Sequence, residues 1–301
     1  MTNRHLLVLV VIIGLGCDRN EGARFETLSS AESDNSLQVS TTRVSVITGL
    51  DGPEAVRYDE GTDAYFVSNF GGSSRDRDSN GYISKIDAAT GEVINAYMVG
   101  GDFPLHAPRG MFIVGDTLWV ADLEGVHGFD KQSGDQLVFI DLTSYEPGFL
   151  NDVAADETGT IYVTDTGKRR VYRIRSQAHE IALEDFGNPN GITFDSRSGE
   201  LIIAPWDEGD PILSWDTNGD SLRAIRNPSG SKIDGIEIHG DRIIYAQQSD
   251  STIQISTATM TFPAIKTDGK PADIGLDTKR NRIAVPYIAL NRVDIWQLPM
   301  H

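Results

Sequence analysis

Residues 190–203 read Asn190-Gly191-Ile192-Thr193-Phe194-Asp195-Ser196-Arg197-Ser198-Gly199-Glu200-Leu201-Ile202-Ile203, and this stretch decides the fold. A short strand enters on a polar residue, an Asp/Ser/Gly turn follows, and a strongly apolar strand returns. The same pattern occurs on both sides along the chain. Pro53-Glu54-Ala55-Val56-Arg57-Tyr58 leads to Tyr65-Phe66-Val67, and Pro108-Arg109-Gly110-Met111-Phe112-Ile113 leads to Leu118-Trp119-Val120. Asn151-Asp152-Val153-Ala154-Ala155 leads to Ile161-Tyr162-Val163, and Asp234-Gly235-Ile236-Glu237-Ile238 leads to Ile243-Ile244-Tyr245. The last copy is Ala272-Asp273-Ile274-Gly275-Leu276 leading to Ile283-Ala284-Val285.

Aligned on their first strands, the six copies start at 54, 109, 151, 190, 234 and 272, with the longest interval between the first two. A spacing of about 40 residues with about four strands per unit is the signature of a β-propeller blade. Third and fourth strands are legible as Tyr82–Ile86 and Val93–Met98, and as Val126–Phe129 and Leu137–Asp141. The last copy ends at Val293–Leu298 without a fourth strand, while Arg43–Ile47 is a strand ahead of the first copy. Pairing these two closes the ring and removes both open edges. The expected fold is therefore all-β, a six-bladed β-propeller over 43–301 whose last blade is completed by the N-terminal strand. A β-sandwich would not require six equivalent repeats.

The 301 residues include 26 Lys and Arg against 44 Asp and Glu, a formal charge of −18. A folded surface this acidic is a poor partner for nucleic acid or anionic lipid. A single cysteine excludes intrachain disulfides and Cys-cluster metal sites. That cysteine, Cys17, closes a segment made of Arg4, the apolar run Leu6–Leu15 and Gly16, too short to span a bilayer. The segment 1–17 resembles a bacterial lipoprotein signal, which implies cleavage before Cys17 and its lipidation. Gly14 stands where such signals usually carry Leu, so a plain secretory signal and an uncleaved anchor are the alternatives. The expected location is outside the cytoplasm, as a membrane-anchored lipoprotein facing the periplasm or the cell exterior. Residues 18–42, rich in Ser, Asn and Glu, read as a flexible polar tether.

In a propeller the first strand of each blade lines the central channel, so equivalent starting residues converge at one mouth. Here they are Glu54, Arg109, Asn151, Asn190, Asp234 and Ala272. Oxygen donors without His or Cys suit a hard cation such as Ca²⁺. The alternative is that polar residues solvate a water-filled channel.

The six repeats and these positions resemble the SMP-30/gluconolactonase/LRE-like (regucalcin-type) family of lactonases. The resemblance rests on Glu54 in Gly-Pro-Glu-Ala-Val-Arg-Tyr, Asn151 in Phe-Leu-Asn-Asp, Asn190 in Pro-Asn-Gly-Ile and Asp234 in Ile-Asp-Gly-Ile. It implies one divalent cation held by Glu54, Asn190 and Asp234 with Asn151 beside it. It also implies Asp234 as the base, beside which Asn151 is expected to orient the water or the developing oxyanion. Two features depart from the family. Phe149 stands where members often carry a substrate-binding Arg, and the first-blade signature reads Gly-Pro-Glu-Ala. Arg109 is the candidate to take over substrate recognition, its alternative being an ion pair with Glu54. His106, in Phe-Pro-Leu-His-Ala-Pro, is a candidate proton shuttle or an ordinary loop histidine.

Asp76-Arg77-Asp78-Ser79-Asn80-Gly81, with Asp87 in twelfth position, resembles an EF-hand loop, but Tyr82–Ile86 read as a strand carries Asp87 away. A partial cation site on Asp76, Asp78 and Asn80 stays open. Residues 70–81 read as an enlarged loop over the mouth, and the loop around Trp206 is expected to reach it. Serine-hydrolase elbows, Walker loops and zinc-protease helices have no motif here. Two functions remain. One is a cation-dependent hydrolase of a lactone or small ester. The other is a non-catalytic, lipid-tethered propeller, a scaffold or sensor of the NHL or strictosidine-synthase-like kind.

Overall fold

The computed structural model describes residues 41–299, which form six four-stranded antiparallel sheets. The lipoprotein-like segment 1–17 with Cys17, and nearly all of the tether, lie outside the described residues. No helix among the described residues is long and apolar enough to cross a membrane. Blade 1 spans Pro53–Asn95, blade 2 Met111–Asp141, blade 3 Leu150–Glu184, blade 4 Pro189–Arg226 and blade 5 Ile233–Lys266. Blade 6 takes Gly275–Asp277, Arg282–Tyr287 and Arg292–Gln297 from the C-terminal end, and Thr42–Ile47 pairs antiparallel with Arg292–Gln297 as its outer strand. The ring is closed as the repeat predicted.

Each sheet is apolar on both faces because each packs against two neighbours. Alternate residues of one strand therefore enter different inter-blade cores. In blade 4, Leu201 and Ile203 join a cluster with Tyr162 and Val171 of blade 3. Ile202 and Ala204 face the other way, toward Ile236 and Tyr245 of blade 5. The closing interface has the same build, with Ile47, Val293 and Ile295 of blade 6 against Val56, Tyr65 and Val67 of blade 1.

The hairpins draw on the acidic residues. Asp87 accepts the N–H groups of Ala89 and Thr90, Asp130 those of Gln132 and Ser133, and Asp216 those of Asn218 and Gly219. An Asp side chain bonding the backbone two or three residues on holds a turn locally. Carboxylates that add to the net charge thus serve hairpins as well. Asp87 is one of them, which removes it from any EF-hand loop.

Two inner strands are shorter than the repeat predicted, starting at Met111 and Gly275. Ahead of Met111, the Gly110 N–H bonds the Asn151 carbonyl of the next blade. Ahead of Gly275, the Asp273 N–H bonds the Glu54 carbonyl. Near the axis, neighbouring blades are close enough to exchange backbone hydrogen bonds.

Candidate functional site

Four inner strands slip by one residue where they reach the mouth. The slips lie between Pro53 and Ala55, Leu150 and Val153, Pro189 and Ile192, and Ile233 and Ile236. A bulge leaves the extra residue out of the ladder and re-aims its side chain. The bulged residues include Glu54, Asn151, Asn190 and Asp234, and all four line one cavity of about 350 Å³. The glycines that follow two of them have a packing cause. A Cβ on Gly191 would come within 2.3 Å of the Asp234 carbonyl oxygen, and one on Gly235 within 2.3 Å of the Ile274 nitrogen. The polar half of each pair therefore faces the cavity, while the Gly half lets adjacent inner strands approach.

Asp234 is held at both oxygens. Asn190 Nδ2 donates to its Oδ1 at 2.8 Å and Gln248 Nε2 to its Oδ2 at 2.6 Å. Thr166 Oγ1 donates to Asn190 Oδ1 at 2.7 Å, which fixes that amide. Burial still pushes the Asp234 carboxyl up to about 6, against those hydrogen bonds and the charge of Arg109. Glu54 is raised further above the usual range, by burial first and then by the Asp234 charge. Its Oε2 is buried without a hydrogen-bond partner. Phe70, Phe149, Trp206 and Ile288 supply apolar wall around this acidic floor.

Arg109 departs from its expected role. It is fully buried and absent from the cavity lining. Its guanidinium lies 3.9 Å from the Phe149 ring centroid and donates through Nη2 to the Ser74 carbonyl. Stacked on Phe149, Arg109 has no cavity surface with which to meet substrate. It braces the loop above. That loop, 70–81, does reach the mouth as expected, placing Phe70, Ser74 and Arg75 in the cavity wall.

His106 is likewise outside the lining. Its Nδ1 accepts the Ser79 N–H at 3.1 Å, and its own backbone N–H donates to Asp122 at 2.8 Å. It fastens the same loop from the blade 2 side, so the proton-shuttle role has no geometric support. Asp78 uses one oxygen to accept the Asn80 N–H.

Sequence reasoning missed two features. Arg75 lines the cavity and lies 4.9 Å from the Phe149 ring, making it the guanidinium that faces the mouth. The signal for it was Phe149 itself, an aromatic face in place of a cation. The second is a deeper polar layer. Arg57 pairs with Glu237, lies 3.9 Å from Asp273, and donates to the Met111 carbonyl at 2.7 Å. Burial pushes the nearby Asp152 up to about 7 even with Arg57 opposing it. Leading into the inner strand of blade 6, the buried acid next to the axis is Asp273, one residue past the Ala272 of the repeat alignment, and neither of its carboxylate oxygens has a hydrogen-bond partner.

Among the described residues, no three His, Cys, Asp or Glu side chains form a metal cluster by themselves. A cation at the mouth would have to combine the Glu54 and Asp234 carboxylates with amide oxygens from Asn151 and Asn190. The donor chemistry fits a hard cation, and the desolvated, unpartnered Glu54 Oε2 is the atom such an ion would satisfy.

No family model matches the chain, and no curated protein matches it in sequence. Solved structures do share its shape. The structure of streptogramin B lyase superposes with a TM-score of 0.61 at 12% identity, covering 86% of this chain and 97% of that one. The β-propeller domain of Cps50 (Swd1) from Myceliophteria thermophila gives 0.60 at 11% identity, covering 86% and 100%. At these identities the likeness extends to the fold alone. An enzyme is among the proteins that share it.

Proposed function

We propose that the channel mouth is the active site of a hydrolase acting on a lactone or small ester with the help of one divalent cation, Ca²⁺ by the nature of its donors. The observation that carries this reading is the cavity itself. Glu54, Asn151, Asn190 and Asp234 converge on one floor, with Glu54 Oε2 desolvated and unpartnered, under walls apolar enough to hold an organic ligand. When bound, the cation would offset the buried acidic charge and polarise the substrate carbonyl.

The chain's own residues do the rest. Asn190 and Gln248 hold the Asp234 carboxylate so that it can take a proton from water. The water oxygen adds to the carbonyl carbon, and the Asn151 amide is placed to steady the oxyanion. The carbon–oxygen bond to the leaving alkoxide then breaks. The proton on Asp234 passes to that alkoxide, leaving an acid and an alcohol. A carboxylate is a weak base, adequate for a strained lactone or activated ester and not for an amide, so peptidase activity is not expected.

Purified protein should hydrolyse members of a lactone and aryl-ester panel in Ca²⁺ and lose that activity in EDTA. Asp234→Asn should lower kcat by roughly 10²–10⁴-fold. An inactive wild type across the panel, whatever divalent ion is supplied, would leave the non-catalytic tethered propeller as the reading. A fully active Asp234→Asn would remove Asp234 as base. The lipoprotein-like segment 1–17 supports a location outside the cytoplasm on a lipid anchor, and Cys17→Ala should then move the protein from the membrane to the soluble fraction.

A further inference from the structure

We infer that Arg75 is an anion-recognition residue and that the cavity takes a ligand bearing a carboxylate. This deepens the reading above and rests on its cavity being a ligand site, but not on turnover.

The cations around the mouth differ in how they are neutralised. Arg109 is buried beside Glu54, whose charge is the strongest electrostatic influence holding it protonated against burial. Arg77, on the same loop as Arg75, pairs with Glu124 at 2.5 Å. Arg75 lines the cavity and has no ion pair among the described residues, in a protein of net charge −18. Among the described residues of so acidic a molecule, this guanidinium has many carboxylates it could have met. It instead lies 4.9 Å from the Phe149 ring.

That placement is built rather than incidental. Phe149 also carries Arg109 at 3.9 Å, and Arg109 holds the Ser74 carbonyl, the residue next to Arg75. The loop is pinched at its base, where a Cβ on Gly71 would come within 2.0 Å of the Asn80 carbonyl oxygen. The Gly81 N–H is bonded to the Leu105 carbonyl at 3.1 Å. Stacking on an aromatic face leaves the guanidinium edge with its N–H donors free, the geometry that receives a carboxylate in two parallel bonds. The cavity therefore has two poles, Glu54 and Asp234 on the floor and Arg75 on the wall. A ligand with its reacting carbonyl over the floor and a carboxylate on Arg75 matches both.

The test uses two anions and their neutral esters, 3-phenylpropionate with its methyl ester and adipate with dimethyl adipate, titrated calorimetrically into the full chain in Ca²⁺ at low ionic strength. At least one anion should bind tenfold or more tightly than its ester. Arg75→Gln should abolish that preference, Arg75→Lys should keep part of it, and Arg77→Gln should leave it intact. The inference is overturned if neither anion is preferred, if Arg75→Gln binds as wild type does, or if Arg77→Gln weakens binding equally, since bulk charge would then be the cause. Anion binding without hydrolysis of any substrate would defeat the hydrolase reading and leave this one standing. Hydrolysis of neutral esters with no anion preference would do the reverse.

Discussion

Asp234 shows at the scale of one residue how a site can work against the fold that holds it. Two amides fix its oxygens, yet burial raises its carboxyl to about 6, above the usual value near 3.9. The folded protein thus holds this proton more tightly than the unfolded chain does. The stability contributed by the group is complete below about pH 4 and is lost as pH rises through about 6. In EDTA, wild type should therefore melt progressively lower than Asp234→Asn as pH is raised from 4.5 to 7, by roughly 5 °C. Added Ca²⁺ should reverse that order, because a cation bound only by the native state stabilises by mass action. Melting curves at three pH values with and without Ca²⁺ check both halves. Parallel pH profiles for the two proteins would show that Asp234 is not titrating in this way.

At the scale of the element, the inner strands owe their geometry to absent side chains. A Cβ on Gly110 would sit 2.1 Å from Asp152 Oδ1 and 2.6 Å from Asp152 Cα, so one methyl group must force blades 2 and 3 apart. Gly110→Ala should cost about 1–3 kcal/mol in denaturant unfolding, the usual penalty of overpacking. Gly100 has nothing within 4 Å of its Cβ position, and Gly100→Ala should unfold as wild type does. Equal midpoints for the two variants would mean that the inner strands have slack. The enlarged loop 70–81 obeys a different logic. It has no partner strand, and what places it is the fastening of Ser74 by Arg109 and of Ser79 by His106. These two residues were expected to meet substrate and instead hold the loop that lines the cavity.

For the whole molecule, closure is the decisive feature, because the two ends of the propeller meet in one blade. Ile47 is buried in the seam between blades 6 and 1, whereas Val44 on the same strand is exposed. Arg43 ties the closing strand to the C-terminal part of the chain, pairing with Asp294 of blade 6 at 3.0 Å and with Asp268, in the connection from blade 5 to blade 6, at 2.6 Å. Ile47→Ala should cost about 2–5 kcal/mol and lower the melting temperature by roughly 5–10 °C, while Val44→Ala changes little. Circular dichroism and tryptophan fluorescence should report a single shared transition, because each blade leans on two neighbours. A separate early transition in Ile47→Ala would show that blade 6 opens alone.

The sequence by itself determined the repeat, the blade number, the closing strand and the four polar residues at the mouth. All are periodic or local, written in the alternation of single strands and in Asp/Gly turns such as Asp195–Gly199. Tertiary structure alone decided which polar groups face the cavity. Arg109 and Arg75 are both cations near the mouth, and composition cannot separate them. One is sealed under Phe149 and the other faces the cavity, because the path of a loop without periodicity is set by contacts far away along the chain. The buried acid that leads into the inner strand of blade 6 falls at Asp273 and not at Ala272 for a related reason. Side-chain direction near the axis follows bulges and backbone contacts between blades, and a strand's own alternation does not encode its neighbour's approach.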